Sequence, residues 1–425
     1  MRYSTMKSVL SGSLALITAV SLCACGSGQS GNAKSDHILT FWDPYPQYTS
    51  GAKWDTHVKK CAPKGYTIKR QGMPQNDVLN NLTTAVKADN SPDIAVLDNP
   101  FMPTAVDSGL VTDLGNSDVK VSGFDANIEG PGIVDGKQYG LAFGTNALGL
   151  YYNPTILKKA GVDPNSIVDW NSLNTAIKKV VDSGSKGITF SGITGEEGVF
   201  QFLPWFWGAG ASLSHPDSSQ AKQARDLVSG WVKNGWAPKS VATDNQSASW
   251  DLMLTGEYGF AENGSWQAAS AKEKGFKSLP IPAKNGGVAP VPTGGEFATL
   301  PFHKHENAKK RQAAGEVINC LTSQQNLETT NETIGYLAAL KSVRNVQAQK
   351  NPLWKPWIDS VEKAQGRTSD VGLKYETIIC STFKELATSS EFVRGVVVMA
   401  DNDTSIKSER NELPSRRTAA SHFDI

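Results

Sequence analysis

Charge of one sign is what this sequence lacks first. Lys and Arg number 42 against 41 Asp and Glu, a net charge of +1 over 425 residues. A polyphosphate partner would demand a basic face, so the balance does not point to nucleic acid. Histidine and cysteine are also scarce, at six and five residues. No CxxC and no Cys/His spacing supports a metal site, and His303-Lys304-His305 reads as a solvated loop. No metal and no cofactor are expected. The apolar run at the start, Val9 to Leu22 behind Arg2 and Lys7, is too short for a stable spanning helix and fits a secretory signal. Catalytic patterns are missing as well: no Ser/His/Asp order stands out, and no carboxylate pair sits at a spacing that fixes an acid and a nucleophile.

The signal run ends in Leu22-Cys23-Ala24-Cys25-Gly26, whose spacing resembles a bacterial lipobox with Cys25 as the lipidated residue. Residues 1–24 are then the signal and 25–36 a Gly/Ser-rich flexible tether. Cys61, Cys320 and Cys380 remain, and an extracytoplasmic location permits one disulfide among them, with all three pairings open. At this length the chain should fold as two or three domains. Its aromatic content is the informative surplus, with eleven Trp beside ten Tyr and fifteen Phe. Such rings build cores, and they also line sites where a flat apolar face is wanted.

The stretch Asp135 to Asn153, DGKQYGLAFGTNALGLYYN, organises the rest. A turn is followed by two short apolar runs, Tyr139–Phe143 and Leu148–Tyr152, with a small polar break between them. This pattern fits a chain leaving one sheet and entering another, with Gly144 as the pivot, or a plain hairpin within one sheet. Before it, strand-like runs at His37–Trp42, Tyr66–Arg70 and Ile94–Leu97 alternate with helical periodicity at Trp54–Cys61 and Asn76–Ala88. That alternation argues for a parallel sheet covered by helices. After it come a helix from Trp170, the aromatic run Phe200–Gly210, and a strand at Tyr258–Ala261 leading to a polar-aromatic loop, Glu262–Trp266. The Pro/Gly-rich stretch Pro280–Pro301 reads as a crossing back, and Gly335–Leu340 as a third crossing.

Five segments make the chain recognisable: LTFWD at Leu39–Asp43, SPDIAVLD at Ser91–Asp98, the 135–153 stretch, EYGFAENGSW at Glu257–Trp266, and AAGEVINCLTSQQN with GYLAALKSV between Ala313 and Val343. In this order the chain resembles the solute-binding lipoproteins of bacterial sugar ABC importers, the maltose-binding-protein group. The resemblance implies an α/β, two-lobed periplasmic-binding-protein-like fold of type II. Each lobe would be an open, mainly parallel sheet flanked by helices, joined to the other by about three crossings. The N-terminal lobe would comprise 37–145 with 293–340, and the C-terminal lobe 146–292 with 341–390. Residues 391–425 depart from the family, which usually ends in an amphipathic helix.

By position, the resemblance places Trp42, Asp43, Tyr45, Asp98, Asn99, Asn146, Trp205, Trp207, Asn263, Trp266, Gly295 and Glu296 around a sugar. Carboxylates and amides suit hydroxyls that donate and accept at once, and ring faces suit the C–H face of a pyranose. Asp43 and Asp98 also have the composition of caps or turns, and Asn146 that of a residue holding a hinge. The implied partners are a sugar of di- or oligosaccharide size, the permease subunits, and the membrane through the lipid anchor, with the protein acting as a monomer and doing no chemistry. A secreted carbohydrate-active enzyme, or the same fold carrying a polyamine or peptide, is the alternative.

Overall fold

A computed structural model describes residues 37–366 apart from residue 121. Cys25, Cys380 and the tail 391–425 lie outside the described residues. The chain enters at β1 (Ile38–Asp43), where Leu39, Phe41 and Asp43 point inward and their neighbours are more open. β1 lies between β2 (Thr67–Gly72) and β3 (Ile94–Asp98), parallel to both. The helices Lys53–Lys60 and Gln75–Lys87 make the crossovers that parallel pairing requires. All five residues of β3 are buried, as befits a strand covered on both faces. β4 (Val111–Thr112) follows further out.

A small hairpin comes next, β5 (Ile133–Val134) against β6 (Lys137–Gln138). Its turn residues Asp135 and Gly136 both have positive φ, 50° and 72°, the reason an Asp-Gly pair occupies the position. The organising stretch then forms β7 (Gly140–Ala142), β8 (Gly144–Thr145) and β9 (Leu148–Tyr152). It is no hairpin, because β7 and β9 belong to different sheets. The second sheet adds β10 (Lys186–Thr189), β11 (Tyr258–Gly264) and β12 (Lys277–Leu279), in the order β10-β11-β9-β12. The chain then returns as β13 (Glu296–Pro301) to the first sheet, whose order is β2-β1-β3-β13-β4 with β7 also on β13.

Both sheets are mainly parallel in direction, with one reversed strand each. β13 is antiparallel to β3, β4 and β7, and β9 is antiparallel to β11 and β12. Each reversed strand is the one that arrives from the other lobe. It has no crossover helix to turn it about, so it enters in the opposite sense.

The third crossing, β14 (Leu337–Ala338), pairs with β8. Asn146 bridges Gly294, and the Thr145 hydroxyl donates to the Gly294 carbonyl at 3.0 Å. The first crossing therefore touches both of the others. Gly144 is needed here for space and not for its angles, since its φ is not positive. A Cβ on it would strike the Asn331 amide oxygen and sit 2.9 Å from the Tyr336 ring. Gly295, at φ 117°, is the residue whose backbone no side chain would readily adopt.

Cys61, which caps the helix Lys53–Lys60, is bonded to Cys320 in the helix Ala308–Thr322, with Cα atoms 5.6 Å apart. This settles the pairing that spacing left open. In the second lobe the helix Glu196–Gly208 is buried almost throughout, and the Trp205 and Trp231 rings meet edge to face at 5.0 Å. Aromatic density there makes core.

Candidate ligand-binding cleft

The cleft is assembled at strand ends. After β1 the chain turns through Pro44–Tyr48, and Arg70 of β2 fixes that turn. Its guanidinium donates to both Asp43 oxygens, Nε at 2.5 Å and Nη2 at 2.7 Å, and to the carbonyls of Tyr45 and Tyr48. Asp43 also accepts from Trp54 Nε1 at 2.9 Å and the Tyr45 N–H at 3.1 Å. With both oxygens occupied and no exposure, Asp43 positions Tyr45 and does not itself face the cavity.

Asp98 ends β3. One oxygen accepts the Asn99 N–H at 2.8 Å, the cap role its composition allows, and the other accepts from Gln75 at the start of the helix Gln75–Lys87. Glu296, first residue of β13, is the direct cross-strand partner of Asp98. Two carboxylates opposite each other repel. Burial, reinforced by the Asp98 charge, lifts the Glu296 carboxyl to about 8. Its Oε1 accepts the Tyr336 hydroxyl at 2.7 Å, while Oε2, beside the Tyr45 hydroxyl, makes no well-formed hydrogen bond among the described residues.

The facing wall belongs to the second lobe. Glu196, Glu197 and Phe200 come from the first turns of the helix Glu196–Gly208, and Gln246 opens the helix Gln246–Leu254. Glu197 Oε2 accepts the Gln246 N–H at 2.7 Å. Burial raises its pKa, and the charge of Asp98 across the cleft adds to that. Trp266, just past β11, leans on Phe200 with ring centroids 6.2 Å apart and keeps part of its surface open. At the hinge, Asn146 Oδ1 is buried with no hydrogen-bond partner among the described residues. These groups enclose a cavity of about 570 Å³, inside the range of about 300–1,000 Å³ usual for small-molecule sites.

Of the residues singled out in the sequence, Tyr45, Asp98, Asn146, Trp266, Gly295 and Glu296 line this cavity. The others do not. Trp42 packs against the apolar core from β1. Asn99 is buried behind Asp98, its N–H also donating to the Gly295 carbonyl at 3.1 Å. Trp205 gives its Nε1 proton to Glu262 at 2.7 Å, and Trp207 is buried in the same helix. Asn263 lies within β11, which runs on through Gly264 where a loop was expected. Its amide donates to the Gln246 carbonyl at 2.9 Å and so steadies the wall from behind.

Several lining groups were not singled out, among them Gln75, Glu196, Glu197, Gln246 and Tyr336. The adjacent Glu196-Glu197 at a helix start was the one signal available, and a weak one, since acidic first turns are commonplace at helix N-termini.

Two lobes, a three-strand hinge and a cavity between them define a binding protein of the periplasmic type. Residues 59–356 match the family described as bacterial extracellular solute-binding protein, and the chain belongs to that family. A binding protein of Brucella abortus (strain 2308) is 23% identical over 274 residues, 60% of this chain and 64% of that protein, so the match spans under two thirds of that relative. The maltodextrin-binding protein of Bacillus subtilis (strain 168) is 26% identical over 373 residues, 81% of this chain and 84% of its own. Among solved structures, the GacH receptor of Streptomyces glaucescens, described unliganded and with acarbose, gives a TM-score of 0.75 at 19% identity, covering 89% of this chain and 99% of that one. Maltose-bound MalE3 of T. maritima gives 0.73 at 19% identity, covering 87% and 99%.

Proposed function

We propose that this protein is the substrate-binding component of a bacterial ABC importer. It captures a sugar, of di- or oligosaccharide size, between its lobes and delivers it unaltered to the membrane permease. The observation that carries this reading is the make-up of the cavity. The part-open Trp266 ring and Phe200 offer an aromatic platform, buried Asn146 Oδ1 has no hydrogen-bond partner among the described residues, and the Glu296 carboxyl stands beside it on the cavity wall. A sugar presents an apolar ring face and a rim of hydroxyls, and needs both. The maltodextrin and maltose named for relatives support the same class of cargo. The domain limits set out above, anchoring to the outer face of the cell membrane through a lipid on Cys25, and action as a monomer belong to this proposal.

A thermal-shift screen of the purified protein against mono-, di- and oligosaccharides tests it. A cognate sugar raises the melting temperature with concentration, because it binds the folded state alone. Absence of any shift, or appearance of cleavage products in the same tubes, would overturn the reading.

A further inference from the structure

The charge around the cavity is one-sided. Asp98, Glu196, Glu197 and Glu296 line it, and among the described lining residues there is no Lys, Arg or His. Asp98 is the meeting point: it faces Glu296 across the sheet and acts on Glu197 across the cleft. The nearby cation, Arg70, is committed to Asp43 and to two carbonyls behind the loop. Glu296 is 2% exposed, and its Oε2, beside the Tyr45 hydroxyl, makes no well-formed hydrogen bond among the described residues, so once ionised it can accept from a cationic donor in the cleft. A metal ion does not fit the spacing, since no cluster of three or more His, Cys, Asp or Glu among the described residues could hold one.

We propose that the sugar taken by this cleft carries a protonated amine, seated where Asp98, Glu197 and Glu296 converge, with its ring face on Trp266. The inference rests on the saccharide reading above and narrows it to amino sugars. A neutral sugar would leave Glu296 to keep its proton beside Asp98, with the charge of Asp98 still bearing on Glu197. An ammonium offsets that charge and donates to Oε2 of the ionised Glu296 in a charge-assisted bond. The raised Glu296 carboxyl, surrounded by Asp98, Asp43, Tyr45 and Tyr336, supports this: it holds a proton in the empty protein at neutral pH and releases it when a cation arrives.

The test uses glucose trimers linked β-1,4 and α-1,4, each in three forms: neutral, with one free amine per ring, and with that amine N-acetylated. Affinity is measured by calorimetry between pH 5.5 and 8, with spermidine as a further ligand. The free-amine trimer of one linkage should bind about tenfold or more tightly than its neutral and N-acetylated forms, the scale of one hydrogen bond to a charged group. Its affinity should rise with pH while the amine stays protonated, and protons should be released on binding. Glu296→Gln should reduce that preference and flatten the pH dependence, and Glu197→Gln, made in parallel, should reduce it too, should Glu296→Gln fail to fold. Equal or tighter binding of the neutral form overturns the amine and leaves the saccharide reading standing. Binding of spermidine with no trimer bound overturns both, and so does no binding at all.

Discussion

Trp266 and Glu129 show how differently two side chains of this protein should respond to replacement. Trp266 sits at the cleft with part of its ring uncovered, while the rest packs against both apolar cores. Trp266→Ala is expected to weaken sugar binding by about 1–3 kcal/mol, as for other aromatic anchors, and to lower the melting temperature of the empty protein somewhat through the lost packing. Unchanged affinity in a titration removes it from the site. Glu129 is the opposite case, remote from the cavity and 3% exposed. It accepts from Gln138 and from the Ala142 N–H, yet burial lifts it from 4.5 to about 8. In the unfolded chain it ionises from its ordinary value upward, whereas in the folded chain it keeps its proton to about 8. Between those values the unfolded state binds fewer protons, so stability falls as pH rises through that window and levels off above it. Glu296 adds a loss of the same sign in the empty protein. Denaturant midpoints from pH 5 to 9 should decline accordingly, and Glu129→Gln should lessen the slope. A steeper slope in that variant would contradict the assignment.

At the scale of elements, the disulfide and the reversed strands do most to fix the first lobe. Cys61 and Cys320 lie 259 residues apart in sequence, and their bond closes a loop that contains the whole second sheet. Replacing both with Ala should lower stability by about 2–5 kcal/mol, since so long a loop is costly to close. Chemical denaturation of the double variant measures this, and a loss below about 1 kcal/mol would show that native packing alone holds the two helices together. The reversed strand β13 has a second consequence. By entering antiparallel to β3 it sets Glu296 opposite Asp98. A parallel entry would have sent Glu296 to the other end of the sheet, away from the cleft. The acidic site is thus a product of strand direction.

Among the described residues, the two larger sheets are joined by three short strips, the first of which pairs with the others through β8, β14 and the Asn146–Gly294 bridge. Strips this short are where a hinge between the two larger sheets would bend. A bound sugar that touches both walls should favour the closed arrangement. Small-angle scattering is expected to show a smaller radius of gyration with cognate ligand than without it. Identical curves with a ligand that calorimetry shows to be bound would mean that the cleft fills without closing.

Much of this architecture could be read in the residues themselves. Alternating strands and helices before residue 100 follow from periodicity, whereas the stretch 135–153 fitted a hairpin as well as a sheet change until β7 and β9 were seen in different sheets. Periodicity is a local property, and local sequence carries it. The site was only half legible. Asp43 and Asp98 look alike in sequence, each an acid closing a strand, but Arg70 arrives from β2 to occupy one and leaves the other at the cavity. Trp205, Trp207 and Trp266 likewise differ only in what packs over them. Local pattern along the chain therefore determined the strands and helices and their order. Which acids meet, which rings stay open and which cysteines bond depended on segments hundreds of residues apart being brought together, and that information exists only in the folded chain.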